Sequence, residues 1–158
     1  MKSPSIYLGV FVGILAGASL APVQAAEVKV GGTVTYAVTS IEETKLSDGS
    51  TMFRVHQKGA IVDKDASSPL NLNAQDCDGF VIAAPGATGP APGAGSCDAV
   101  DKDGDRWAMW WVEKDGNRWG VTYGTGKFAG MTGGGTTKAI LDLPDRQTIT
   151  YEGTLNMK

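Results

Sequence analysis

The chain has little of what most enzymes and nucleic-acid binders rely on. It holds one histidine, His56, and two cysteines, Cys77 and Cys97. Two thiolates and one imidazole leave a tetrahedral zinc site a ligand short unless a carboxylate joins. No serine or cysteine is spaced with His56 as a nucleophile motif, which makes hydrolysis an unattractive reading. No run or stripe of Lys and Arg appears, so the footprint of a phosphate-backbone binder is missing and no nucleic-acid partner is expected. Sustained helical periodicity of apolar positions is absent as well, and strands must therefore form the core.

What is present begins with an address. Lys2 precedes the uncharged run IYLGVFVGILAGASL, and VQA puts Val23 and Ala25 at the small-residue positions that signal peptidase prefers. The reading is a signal peptide over residues 1–25, cleaved after Ala25, followed by one domain over 26–158. The apolar run falls short of the roughly 20 residues that span a bilayer, and no later segment is a membrane candidate. With Lys2 removed, the 14 basic residues fall to 13 against 17 acidic, a formal net charge of −4. Export to the periplasm or the medium puts Cys77 and Cys97 in an oxidising environment, where one disulfide is the expected outcome.

The strand pattern is clearest at the end of the chain. TITYEGTLNM places Ile149, Tyr151, Gly153, Leu155 and Met157 on one face and Thr148, Thr150, Glu152, Thr154 and Asn156 on the other. GTVTYAVTSIEETKL and TMFRVHQKGAIV form a hairpin around the turn SDGS. The polar stretch DKDASSPLNLNAQD connects onward to a short apolar run at Phe80–Ile82. AAPGATGPAPGAGS, residues 83–96, has too many prolines to pair and reads as an exposed loop with the disulfide tying its ends. RWAMWWVE, NRWGVTYG and TTKAIL complete about eight strands, consistent with a sandwich or a closed barrel.

The run YGTGKFAGMTGGGTT, followed by TYEGT, resembles the Gly-Thr-Gly-Lys-Phe-x-Gly signature of small exported bacterial proteins of the allene oxide cyclase barrel-like group, which are distantly similar to plant dirigent proteins. Cys77-Asp78-Gly79 and the stretch from Cys97 to Trp107 share in the likeness. It implies an all-β fold: a single antiparallel β-barrel of about eight strands with an apolar interior and one disulfide. It implies less about activity, because no catalytic residue of the plant enzymes maps onto a position here. A phosphate-cradling reading of GTGKF fails, since Val121 stands where a Walker loop needs glycine and Phe128 where it needs Ser or Thr.

Two clusters are candidate sites. Trp107, Trp110, Trp111 and Trp119 crowd together with Tyr123, and strand alternation puts Trp107 and Trp111 on one face and Trp110 on the other. They divide between core packing and contact with a small apolar or aromatic ligand. Asp98, Asp101, Asp103 and Asp105 form the second cluster, around the phrase KDGDRW, which is echoed by KDGNRW at residues 114–119. An EF-hand register from Asp101 puts Arg106 at the glycine position and Val112 at the glutamate position, so only an irregular calcium site is left; no other cofactor is expected. The plainer reading takes Asp103-Gly104 and Asp115-Gly116 as type I′ hairpin turns bracketing the aromatic strand.

Three functions fit this inventory. The first is an exported binding module for a small apolar or aromatic ligand. The second is an interaction protein that contacts an envelope protein or a glycan. The third is a barrel enzyme of the cyclase or isomerase type, in which the cavity orients the reactant and an Arg, Tyr or Glu offers a proton or a charge.

Overall fold

A computed structural model describes residues 25–158 apart from Gly89, Pro90 and Asp115. The expected signal peptide lies outside the described residues but for Ala25. Eight strands, β1 (Ala26–Lys45), β2 (Thr51–Asp63), β3 (Ala74–Ala83), β4 (Gly93–Val100), β5 (Arg106–Val112), β6 (Arg118–Gly124), β7 (Thr132–Leu143) and β8 (Arg146–Met157), each pair antiparallel with the next. The β1–β8 ladder, from Ala26 opposite Met157 to Ala37 opposite Arg146, closes the barrel. The expected all-β fold of about eight strands is what the chain adopts.

Alternation dictates which side chains enter the barrel. Val30, Val34 and Tyr36 of β1, Ile61 of β2, Cys77, Cys97, Trp107, Met109 and Trp119 of the next four strands, and Tyr151 and Leu155 of β8 form one buried cluster. Burial of this apolar surface is the main driving force for closing the sheet. The disulfide corrects its expected place: Cys77 and Cys97 sit directly opposite one another within the β3–β4 ladder, facing inward, and do not tie loop ends. The expected loop at 83–96 is correspondingly shorter, because Gly93–Ser96 already belongs to β4 despite its small residues. Likewise Thr132–Gly135 of the glycine-rich stretch is strand, the opening of β7.

The first of the two Asp-Gly turns differs from expectation in type. Gly104 has φ +87°, but Asp103 has no positive φ, so the turn is not type I′. The Gly104 N–H donates to Asp101 O at 3.2 Å and the Asp101 N–H to Asp105 O at 3.0 Å. This is a three-residue loop whose last residue takes the left-handed conformation, the alternative hairpin that glycine permits. SDGS is built the same way, with Gly49 N–H donating to Leu46 O and Leu46 N–H to Ser50 O. At the second Asp-Gly, Asp115 lies outside the described residues, and among those described Gly116 and Asn117 have positive φ.

The ends of the barrel differ. One is sealed by the loop between β2 and β3, which buries Leu70 and Asn73, and by the short 3-10 turn Gly126–Phe128, which buries Phe128. The other, at the β1–β2, β3–β4, β5–β6 and β7–β8 connections, is open. Around the circumference the ladders are unequal. The β6–β7 ladder is limited to Arg118–Gly120 facing Thr136–Gly134, with the Thr137 N–H donating to Asn117 O at 2.8 Å just above it, and beyond that β7 pairs with β8 alone. Similarly, β1 beyond Val38 pairs only with β2.

Candidate functional site

The barrel interior narrows from the open end downward. The mouth encloses about 440 Å³ and is lined by Val38, Val55, Val81, Trp111 and Leu143 among apolar groups, with Glu113, Asp142, Gln57 and Gln147 among polar ones. Below it lies a chamber of about 50 Å³ bordered by Tyr36, Met109, Thr137, Ile149 and four residues that also line the mouth: Gln57, Trp111, Glu113 and Gln147. Those four make the neck between the two spaces. Deeper still, a space of about 20 Å³ touches Trp107, Trp119, Gln75 and Tyr151.

The tryptophans divide by face. Trp107, Trp111 and Trp119 point inward, whereas Trp110 is 39% exposed and Tyr123 is 61% exposed on the outer wall. Five residues expected to share a ligand site are thus not brought together, and only Trp111 borders the mouth. Trp111 and Trp119 are cross-strand partners, and their indoles splay in opposite directions. The Trp111 ring lies over Gly95 and on to Gly79, and the Trp119 ring reaches Gly153; a side chain at any of these glycines would collide with the indole. Glycine is therefore needed there for close approach, where no other residue leaves room for the ring.

Most polar groups toward the sealed end are partnered. Asp63 Oδ2 accepts from Tyr151 Oη at 2.6 Å, Ser68 Oγ at 3.0 Å and the Gly31 N–H at 3.3 Å. Trp107 Nε1 donates to Asn73 Oδ1 at 2.8 Å, and Tyr36 Oη to Gln75 Oε1 at 2.6 Å. Burial pushes both tyrosine hydroxyls well above their ordinary range, with the Asp63 carboxylate adding to the effect at Tyr151.

The mouth is different. There the Trp111 indole N–H is buried and finds no acceptor among the described residues; the Trp119 N–H is also without one, but beside the deepest space. Glu113 enters just after β5, where its N–H donates to Gly93 O at 2.8 Å. Burial, aided by the nearby Asp142 carboxylate, raises its carboxyl above the usual range, which favours the neutral acid. Sequence reading passed over Glu113, Asp142, Gln57 and Gln147. The one available signal was parity: Glu113 continues the inward series of Trp107, Met109 and Trp111 by one more step.

The aspartate cluster has a cation, and it is a lysine. Lys127 Nζ pairs with Asp101 Oδ2 and lies 3.7 Å from Asp103 Oδ2, while Asp98 pairs with Arg106. Asp101 Oδ1 accepts from the Asp103 and Asp105 N–H groups at 2.8 and 2.9 Å, and Asp105 Oδ2 from the Lys127 N–H at 3.1 Å. The lysine beside it, then these backbone donors, holds the Asp101 carboxyl below the ordinary range. Among the described residues no group of three or more acidic, His or Cys side chains is arranged to hold a metal. His56 is on the outer wall, with its ring nitrogens 3.1 Å from Asp76 and 3.0 Å from Asp78.

This arrangement explains the GTGKF run. Gly124 admits the Phe128 carbonyl, the Thr125 hydroxyl accepts the Arg106 N–H at 2.9 Å, and Gly126, at φ +50°, lies under the Asp105 carboxylate. Lys127 then reaches Asp101 and Phe128 fills the barrel end against Trp107, with ring centroids 6.3 Å apart. The signature is a stopper clasped by the first Asp-Gly turn.

No protein-family model and no curated protein sequence matches the chain. Solved structures do. The pterocarpan synthase dirigent protein GePTS1 matches with a TM-score of 0.53 at 10% identity, covering 94% of this chain and 99% of that one. A second pterocarpan synthase dirigent protein, PsPTS1, gives 0.52 at 9% identity over 85% and 97%. A DUF3224-family protein of unknown function from Shewanella oneidensis MR-1 gives 0.57 at 12% identity over 81% and 96%. At these identities the likeness is one of fold, and the fold is a dirigent-like barrel.

Proposed function

We propose that the chain is an exported binding module that takes a small, flat, apolar or aromatic molecule into the open end of the barrel. The observation that supports it most is the asymmetry of the interior: one end is stoppered by Phe128 and Leu70, while the other opens into a mouth of about 440 Å³ lined by apolar side chains together with Gln57, Asp78, Glu113, Asp142 and Gln147. Ligand sites in proteins have this size and character. Cys77–Cys97 is compatible with an oxidising compartment, in keeping with export and with the bacterial exported group that the sequence resembles. Native mass spectrometry of protein purified from its own envelope tests the reading. Co-purification of a small molecule, lost on mutating Gly79 to Leu, is the expected result; an empty barrel that also ignores a panel of planar aromatic compounds overturns it.

A second reading is favoured by one observation. Glu113, held toward its neutral form beside the mouth, is placed to lend a proton in a cyclisation or isomerisation, and two of the similar folds belong to pterocarpan synthases. Turnover that Glu113→Gln abolishes without weakening binding would mark the chain as an enzyme.

A further inference from the structure

The neck below the mouth has a property that the binding reading leaves unused. Gln57, Trp111, Glu113 and Gln147 border both the mouth of about 440 Å³ and the chamber of about 50 Å³. A planar ring system fits the first space and not the second. A single carbonyl or methoxy group fits the second, since a water molecule occupies about 30 Å³ in the liquid. The chamber walls mix apolar side chains with Gln57, Glu113, Asn117, Thr137 and Gln147, and one donor of a neck residue, the Trp111 N–H, is buried without an acceptor. An unmet buried donor costs about 1–3 kcal/mol, and most such groups in proteins are satisfied. The ring cannot readily swing to find a partner, because its far edge is seated on Gly79 and Gly95. The Asp142 carboxylate, close enough to Glu113 to raise its carboxyl, disfavours an anionic substituent.

Resting on the binding reading, we infer that the neck is a specificity filter: the ligand is a neutral planar molecule bearing one small acceptor oxygen, which passes the neck and is taken by the Trp111 indole N–H. Trp119 supplies a control within the same molecule. Its N–H is equally without an acceptor, but it borders only the deepest space of about 20 Å³, room for about one water.

The test uses a matched pair of probes, 2-acetylnaphthalene and 2-isopropenylnaphthalene, which share shape and differ in the acceptor oxygen, together with the anionic 2-naphthoate. Dissociation constants are measured on the intact chain and on Trp111→Phe, which keeps an aromatic ring and removes the donor. The ketone is expected to bind about tenfold more tightly than the alkene, the discrimination one net hydrogen bond provides. Trp111→Phe should bring the two together, and 2-naphthoate should bind worst. Indole resonances in 15N-labelled wild-type protein give a second readout that does not depend on the variant folding. The Trp111 proton should move downfield with the ketone and not with the alkene, while those of Trp110 and Trp119 stay in place. Equal binding of ketone and alkene with a stationary Trp111 proton overturns the filter and leaves the binding module standing. Binding of none of the three overturns both.

Discussion

The two ends of this barrel are made from the same kinds of residue and treat their polar groups in opposite ways. At the sealed end Asp63, Asn73, Tyr151 and Trp107 each have a partner, and Asp101 is met by Lys127. At the open end the Trp111 N–H lacks an acceptor, and Glu113 is held toward its neutral acid beside Asp142. A buried polar group that is satisfied adds rigidity, and one that is unsatisfied costs stability. The contrast therefore separates the part of the molecule whose polar groups are mostly partnered from the part where burial carries an unmet cost.

The largest effect expected from probing that contrast is at the stopper. Phe128→Ala empties a fully buried aromatic site and should cost about 3–5 kcal/mol, read as a fall in the urea midpoint with little change in slope. Next comes the wall between the ends: replacing Cys77 and Cys97 together by Ala should cost about 3 kcal/mol in the chain-entropy account, and reductant should reproduce most of that loss in the wild type.

Smaller, but more diagnostic, are two substitutions with opposite pH signatures. Asp101 has a folded-state pKa lowered chiefly by Lys127, so this pairing stabilises above the ordinary carboxylate range of about 4 and is lost as pH falls through the lowered value. Lys127→Met should accordingly depress the melting temperature strongly at pH 7 and much less near pH 2. Glu113 has a raised value, so ionising it opposes folding, and that penalty grows as pH rises above the ordinary range. Glu113→Gln should raise the melting temperature at pH 7, by no more than roughly a few degrees, and leave it unchanged in acid. If both variants gave the same pH slope, the distinction between a satisfied and an unsatisfied end would collapse.

Much of the fold was readable from local pattern, and particular residues show why the rest was not. The β8 alternation put Tyr151 and Leu155 inside, as found, because a period of two is unambiguous when one face is apolar. Gly93–Ser96 gave no such signal: β4 is a strand because β3 and β5 flank it and because Gly95 accepts the Trp111 ring, both facts of tertiary packing. Lys127 reaching Asp101 was hidden for a similar reason, since the partners are distant in sequence and only the closed barrel brings the stopper to the turn. Trp110 and Trp111 were correctly assigned to opposite faces. Which face bounded a usable space was not legible, because that depends on where the ends are sealed.

The short meeting of β6 with β7 has a consequence for how the molecule breathes. With only Arg118–Gly120 against Thr136–Gly134 and the Thr137 N–H on Asn117 O at 2.8 Å to hold it, this is the shortest seam in the wall, beside Trp119. Amide protons there should exchange with solvent sooner than those of the β1–β2 and β1–β8 ladders.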